Sequence, residues 1–220
     1  MPETIKPETI NDWVNVARKS ARLVVMASGN GSNLQAILDA CTTGELDAEV
    51  VSVISDQTGA YALERASGAG IPIRVFPWRP YREQGLDRRA YDAGLASLVA
   101  TFSPDWIVLA GWMRLLSSAF LEHFPMKVIN LHPALPGTFP GTHAIERAWQ
   151  DYRAGILQYT GVMVHFVPDE GVDSGPVIAH QVIPIEAGDN LGTLTERIHQ
   201  VEHRLLVSAL RSLTCNPKKP

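Results

Sequence analysis

Three short stretches of this 220-residue chain put reactive side chains at spacings that chemistry can use. Asn130-Leu131-His132-Pro133 closes the apolar run that begins at Lys127. Residues two apart in extended backbone point the same way, so Asn130 and His132 would present an amide and an imidazole to one crevice. An amide donor suits a developing oxyanion, and a protonated imidazole suits a leaving amine. A hydrogen-bonded structural pair would use the same two residues. Their place at a strand end, before a rigid proline- and glycine-rich loop, favours the functional reading. In the second stretch, Pro168 to Pro176, Asp169, Glu170 and Asp173 lie among two glycines. A carboxylate from here, paired with His132, would raise the imidazole pKa and keep a proton available near neutrality. A solvated acidic turn is the alternative. In the third, Gly29-Asn30-Gly31-Ser32-Asn33, two glycines permit close backbone approach, and the following helix offers free N–H groups to a phosphate. The third glycine of a dinucleotide fingerprint is replaced by Leu34, and no P-loop lysine follows, so a single phosphate fits better than a pyrophosphate. A bare strand-to-helix turn would read the same.

Two further segments are weaker. Gly111-Trp112-Met113-Arg114-Leu115-Leu116 is apolar apart from one arginine and suits the wall of a pocket for a flat ring, or plain core packing. His199-Gln200-Val201-Glu202-His203 spells an inverted zinc-protease motif, but residues 204–220 hold no Asp, Glu or His as a further ligand, so no metal is expected.

These residues need elements to position them. Leu23–Ala27, Val50–Ile54, Ile73–Phe76, Trp106–Ala110 and Lys127–Asn130 read as short strands, the first and fourth buried on both faces. Helices fall between them: one from Ser32, capped by a Ser32/Gln35 box and closed by Gly44, one over Tyr61–Ala69, one capped by Asp87, and a short one over 117–123. Residues 77–86 and 131–142 read as loops, and Ala144–Arg153 as a helix. The alternation over 22–153 predicts an α/β fold, a doubly wound, mostly parallel, Rossmann-like sheet. Tyr159–Val167 and Val177–Ile185 then alternate as an antiparallel or mixed edge. A helix over 191–213 opens with a Thr193/Glu196 box and buries Leu194, Ile198, Val201 and Leu205. Ligands of such sheets sit beyond the carboxyl ends of the strands, where all three reactive stretches fall.

Composition narrows the function. A net charge of −4 argues against nucleic acid or an anionic membrane as partner. Two cysteines in no ligand spacing argue against a disulfide or zinc scaffold and fit a reducing compartment. Neither a membrane span nor a signal peptide is visible, so the cytoplasm is the expected address. Residues 1–20 read as an N-terminal extension, 21–213 as one domain and 214–220 as a tail.

Ser28–Ala36, Ala110–Leu116, Asn130–Pro133 and Asp173–Pro176, taken in order, resemble the phosphoribosylglycinamide formyltransferase family, within the wider folate-dependent formyltransferases. The Asn-x-His-Pro and Asp-x-Gly-Pro pieces alone indicate only the wider group, and the Gly-Asn-Gly-Ser-Asn turn narrows it to the glycinamide enzyme and its deformylase relative. With no regulatory domain before the match and no RNA-binding domain after it, the glycinamide enzyme is the expectation. The resemblance implies formyl transfer from 10-formyltetrahydrofolate, as co-substrate, to glycinamide ribonucleotide in purine synthesis. It implies that Gly31, Ser32 and Asn33 hold the substrate phosphate and Glu202 the ribose hydroxyls. Arg88, Met113, Arg114, Leu115, Leu116, Asn130, Asp169 and Glu170 would contact the folate. Asn130, His132 and Asp173 would do the chemistry, without a metal. The partners implied are these two small molecules, and a homodimer is compatible. Three departures stand out. The loop after Pro133 lacks a lysine, the acidic loop is one residue longer, and Asp56 replaces a usual asparagine.

Overall fold

The structure, a computed structural model, describes residues 20–215. The expected extension over 1–20 and the end of the tail lie almost wholly outside these residues. Strands and helices alternate in the order β1 (Ala21–Met26), α1 (Ser32–Thr43), β2 (Ala48–Ser55), α2 (Tyr61–Gly68), β3 (Ile73–Val75), α3 (Arg79–Glu83) and α4 (Arg88–Ala100). Then follow β4 (Trp106–Leu109), α5 (Ser118–Leu121), β5 (Val128–His132), α6 (Ala144–Arg153), β6 (Tyr159–Phe166), β7 (Val177–Pro184) and α7 (Leu191–Thr214).

The strands form one sheet in the order β3-β2-β1-β4-β5-β6-β7. The first five are parallel; β6 runs antiparallel to β5, and β7 to β6. The winding direction reverses between β1 and β4, and such a reversal opens a crevice beyond the strand ends. Side chains alternate across the pleat, which splits the apolar runs between two cores. Leu23 and Val25 of β1, with Ile129 and Leu131 of β5, pack under Leu34 and Ile37 of α1 and Leu194 and Ile198 of α7. Val24, Met26, Ile107 and Leu109 face the other way, under Tyr91, Leu95 and Phe120. Both faces are covered, which is why the strands read as unbroken apolar runs.

Several local expectations are corrected. Ser32 does not cap α1. Gly31 occupies the cap at φ 76°, Ser32 is the first helical residue, and the Gln35 side chain donates to Asp39 instead. A left-handed glycine turns the chain more sharply than a capping serine, so the helix starts one residue nearer the strand. The capping box of α7 lies earlier than Thr193/Glu196: Asn190 Oδ1 accepts from Thr193 N and Thr193 Oγ1 accepts from Asn190 N. The stretch 77–86 contains the short helix α3, with proline in its first turn, where the missing N–H costs nothing. β5 continues through His132 because β6 extends the ladder, pairing Asn130 with His165 and His132 with Met163. On α7, Glu202 and Leu206 are buried and Leu205 only half so.

Candidate active site

The end of β5 supplies the centre of the site. Asp173 reaches it from the β6–β7 loop and touches four groups. Its Oδ1 accepts from Asn130 Nδ2 at 2.9 Å, and its Oδ2 accepts from the Gly141 N–H at 2.8 Å. His132 Nδ1 stands 3.4 Å from Oδ2, and His165 Nε2 stands 3.5 Å from Oδ1. The loop manages this reach through a left-handed Asp173 (φ 49°) and through Gly175, whose absent Cβ would sit 1.9 Å from the Phe166 carbonyl oxygen. A non-glycine residue in that left-handed region is uncommon and strained, and such strain clusters at functional positions.

Each atom around Asp173 has an assigned partner. Asn130 Nδ2 donates to Asp173 and also faces His165 Nε2 at 3.2 Å, so both amide hydrogens are engaged. His165 Nδ1 lies 2.8 Å from the Phe166 carbonyl oxygen, and its Nε2 faces both Asn130 Nδ2 and Asp173 Oδ1. The other nitrogen of His132, Nε2, lies 3.0 Å from the Phe139 carbonyl oxygen. His132 therefore sits between two acceptors, Phe139 and Asp173. A neutral ring can donate to only one of them, and an imidazolium donates to both.

Burial is the largest influence on His132 and pulls its pKa below the ordinary histidine value. Asp173 and the Phe139 carbonyl pull upward, while His165 and Arg147 add to the downward pull. The expectation that a paired carboxylate would raise this pKa is thus corrected, because removing the ring from water outweighs the ion pair. Burial works against ionisation of Asp173 too, but contacts from His165, the Gly141 N–H and the His132 ring hold its pKa below the usual carboxylate value.

These groups line a cleft of about 540 Å³ that also takes in Met113–Leu116 and Gly141–Glu146. After Gly111 the side chains split. Trp112 and Leu116 are buried in the core, while Met113 and Leu115 are 69% and 53% exposed along the cleft. Exposed apolar side chains in a concavity are suited to a flat apolar ligand. Arg114 lines the same cleft, but its guanidinium is turned to Asp56 at 3.7 Å and lies over the rings of Trp78 and Tyr91. That clasp accounts for the aspartate at position 56, whose side chain is 2% exposed. Arg88, Asp169 and Glu170 do not line the cleft. Glu170 accepts from the Ser118 N–H and from Arg88 Nη2, and Asp169 accepts from the Gly171 N–H. The Glu170 contacts fasten the acidic loop to α4 and α5, and Asp169 closes a turn within it.

The turn after β1 forms a second, shallower hollow lined by Ser28–Asn30, Gln57 and Gly59–Tyr61. It adjoins the cleft: Ser28 Oγ accepts from Met113 N at 3.0 Å, and Ser28 N donates to the Gly111 carbonyl. Gly31 is obligatory here, since a Cβ would meet Ala62 at 2.7 Å. Asn33 Nδ2 donates to Glu202 Oε2 at 3.3 Å, while Asn33 Oδ1 is buried without a partner. Burial pushes the Glu202 pKa up, against the pull of His199 and Asn33. Among the described residues, no cluster of His, Cys, Asp and Glu is arranged to hold a metal ion.

A family model described as formyl transferase matches residues 21–210. The chain belongs to the formyl transferase family. It is 44% identical over 206 residues to the phosphoribosylglycinamide formyltransferase of Schizosaccharomyces pombe, covering 90% of this chain and 99% of the relative. The Escherichia coli enzyme of the same name is 40% identical, over 83% and 82% of the two chains. The crystal structure of glycinamide ribonucleotide transformylase 1 from Geobacillus kaustophilus superposes with a TM-score of 0.81 at 44% identity, covering 89% of this chain and 99% of that one.

Some residues of this formyl transferase site escape a reading of the sequence. His165 has the register for it, facing Asn130 across the β5–β6 pair, but only the antiparallel pairing reveals that. Arg147 sits eight residues beyond the loop carbonyl it holds, and Ser28 looks like turn punctuation until its hydroxyl is seen to bridge two strand ends.

Proposed function

We propose that the chain transfers the formyl group of 10-formyltetrahydrofolate to the amine of glycinamide ribonucleotide, in purine synthesis. Near-full-length identity to proteins named phosphoribosylglycinamide formyltransferase supports the reaction. The single structural observation that carries it is the Asn130–His132–Asp173 cluster lining an apolar cleft that adjoins a glycine turn at a helix N-terminus. The cleft accepts the pteridine between Met113 and Leu115. The α1 N-terminus, through Gly31, Ser32 and Asn33, holds the phosphate, because its free N–H groups and dipole favour an anion. Glu202, tethered to Asn33, meets the ribose hydroxyls. This arrangement brings amine and formyl carbon together beside His132, which supplies proximity.

The amine attacks the formyl carbon and gives a tetrahedral oxyanion. Asn130 turns one N–H from His165 to that oxygen. Burial keeps resting His132 neutral, so the ring accepts the proton that the amine releases. The imidazolium that forms donates to Asp173, whose charge stabilises it. The ring then passes the proton to the folate nitrogen as the carbon–nitrogen bond breaks, and tetrahydrofolate and formylated product leave. No metal enters this scheme.

Purified chain is assayed with 10-formyltetrahydrofolate and a panel of amine acceptors, following folate product by absorbance. Turnover with glycinamide ribonucleotide is expected. Turnover only with another acceptor, such as an amino sugar nucleotide, would refute the substrate assignment and keep the chemistry. No turnover by folded protein would refute both.

A further inference from the structure

The Phe139 carbonyl that faces His132 is also the main partner of a side chain outside the cleft. Arg147, on α6, donates through Nη2 to the Phe139 and Pro140 carbonyls, both at 2.7 Å, and through Nε to the His143 carbonyl at 3.4 Å. Its guanidinium lies over the Phe139 ring, 5.7 Å from the centroid. The turn it grips is unusual. Gly137, Phe139, Gly141 and His143 all have left-handed backbone, at φ 77°, 47°, 79° and 57°. Two of these are not glycine, so the turn needs external fastening to keep its shape. Its backbone meets the reactive pair on both sides: the Phe139 carbonyl faces His132 Nε2, and the Gly141 N–H donates to Asp173 Oδ2.

We propose that Arg147 is a positioning residue for His132, acting through the Phe139 carbonyl that both side chains address. The inference rests on the formyl-transfer role proposed for His132. A carbonyl already bound by a charged donor is a weaker partner for the imidazole, so Nε2 is left available for proton exchange while Nδ1 stays directed at Asp173. The planar guanidinium matters, since Nη2 holds the Phe139 and Pro140 carbonyls while Nε reaches the His143 carbonyl, and an ammonium has no second nitrogen for that third contact. The positive charge also disfavours protonation of the ring. The other polar and charged groups facing His132 are Asp173 from the β6–β7 loop, His165 from β6 and the neutral Asn130 from β5. His143, at the rim, is committed to Glu146.

The test compares the wild type with Arg147→Gln, which removes the charge, and Arg147→Lys, which keeps it without the fork. The His132 ring is titrated by ¹H–¹⁵N NMR, and kcat and both KM values are measured from pH 5.5 to 9. For Arg147→Gln, the His132 midpoint and the acid limb of kcat/KM are expected to rise together by about 0.5 pH unit, as for one neighbouring charge removed. Its kcat is expected to fall about 10-fold, with both KM values within about 3-fold. Arg147→Lys is expected to lose part of kcat with the wild-type midpoint. A wild-type midpoint together with wild-type kcat in Arg147→Gln overturns the proposal. So does a loss of kcat with the midpoint unmoved in Arg147→Gln, which marks a merely structural arginine. Should Arg147→Gln not fold, Arg147→Lys decides: kcat equal to wild type overturns the proposal. If the wild type fails to formylate glycinamide ribonucleotide, the reaction assignment falls, while the NMR midpoints still decide whether Arg147 acts on His132.

Discussion

Replacing Asp173 with asparagine keeps the shape of the side chain and removes its charge. Asp173 is an acceptor on both oxygens, toward Asn130 at 2.9 Å and Gly141 at 2.8 Å, and its charge faces His132 at 3.4 Å. An amide can accept on only one side. Its NH₂ must therefore oppose either the Asn130 or the Gly141 N–H, which removes one charge-assisted hydrogen bond, about 1.5–3 kcal/mol. At an effective dielectric constant of ~20, a full charge pair at the His132 distance is worth about 5 kcal/mol. The ring is neutral at rest and charged only as the proton moves, so this term falls on the transition state. Screening and partial charge development reduce it to roughly half, about 2–3 kcal/mol. That corresponds to a loss of about 10² in kcat, at 1.36 kcal/mol per tenfold. The loss is expected in kcat with both KM values nearly unchanged, because the Gly31–Asn33 turn and the Met113–Leu116 wall of the cleft are untouched. Steady-state assays at pH 7.5, with thermal melting to confirm folding, measure it. A folded variant with kcat within about 5-fold of wild type would show that the Asp173 charge does not act on His132.

Gly31→Ala meets Ala62 at 2.7 Å with φ at 76°, so a destabilisation of about 2–4 kcal/mol is expected, with a steep rise in KM for the phosphorylated substrate. Melting temperature and KM are the readouts, and an unchanged pair of values would contradict the turn's role. Glu202→Gln removes a buried carboxylate that burial disfavours, so the melting temperature at pH 7.5 is expected to rise by about 2–4 °C while affinity for the ribonucleotide falls. Stability should also depend on pH through Asp173, whose pKa is depressed in the fold. Its stabilising contribution is present above the ordinary value of 3.8 and is lost as pH falls below it toward the folded value. His132, depressed below 6.5, binds its proton more readily unfolded, so stability declines as pH falls below 6.5. Denaturant melts of wild type, Asp173→Asn and His132→Ala between pH 3 and 8 separate the two: Asp173→Asn should flatten the acid limb, and His132→Ala the limb near neutrality.

The chain's order of strands and helices, its mostly parallel sheet and the crevice beyond the strand ends were legible in apolar runs and glycine punctuation, because those signals are local. Gly44 marks the end of α1, and the alternation after Tyr159 signals the antiparallel edge. Asn130, His132 and Asp173 each lie in a short motif whose residue types declare their chemistry, and the fold brings the three side chains together. Tertiary structure decided what depends on distance and solvent. Whether His132 gains or loses proton affinity turns on a contest between burial and the Asp173 charge, and no spacing reports burial. Arg114 reads as a folate contact; it lines the cleft, and what no motif reports is that the fold also pairs it with Asp56 across the switch point. Arg88 and Glu170 read as ligand groups, and only the fold shows that they also pair with each other, 82 residues apart in the chain. Capping likewise moved by one to three residues, because the alternatives differ by a kilocalorie or so and neighbouring turns select among them. Residue type thus set what chemistry was available, and packing decided which groups were free to perform it.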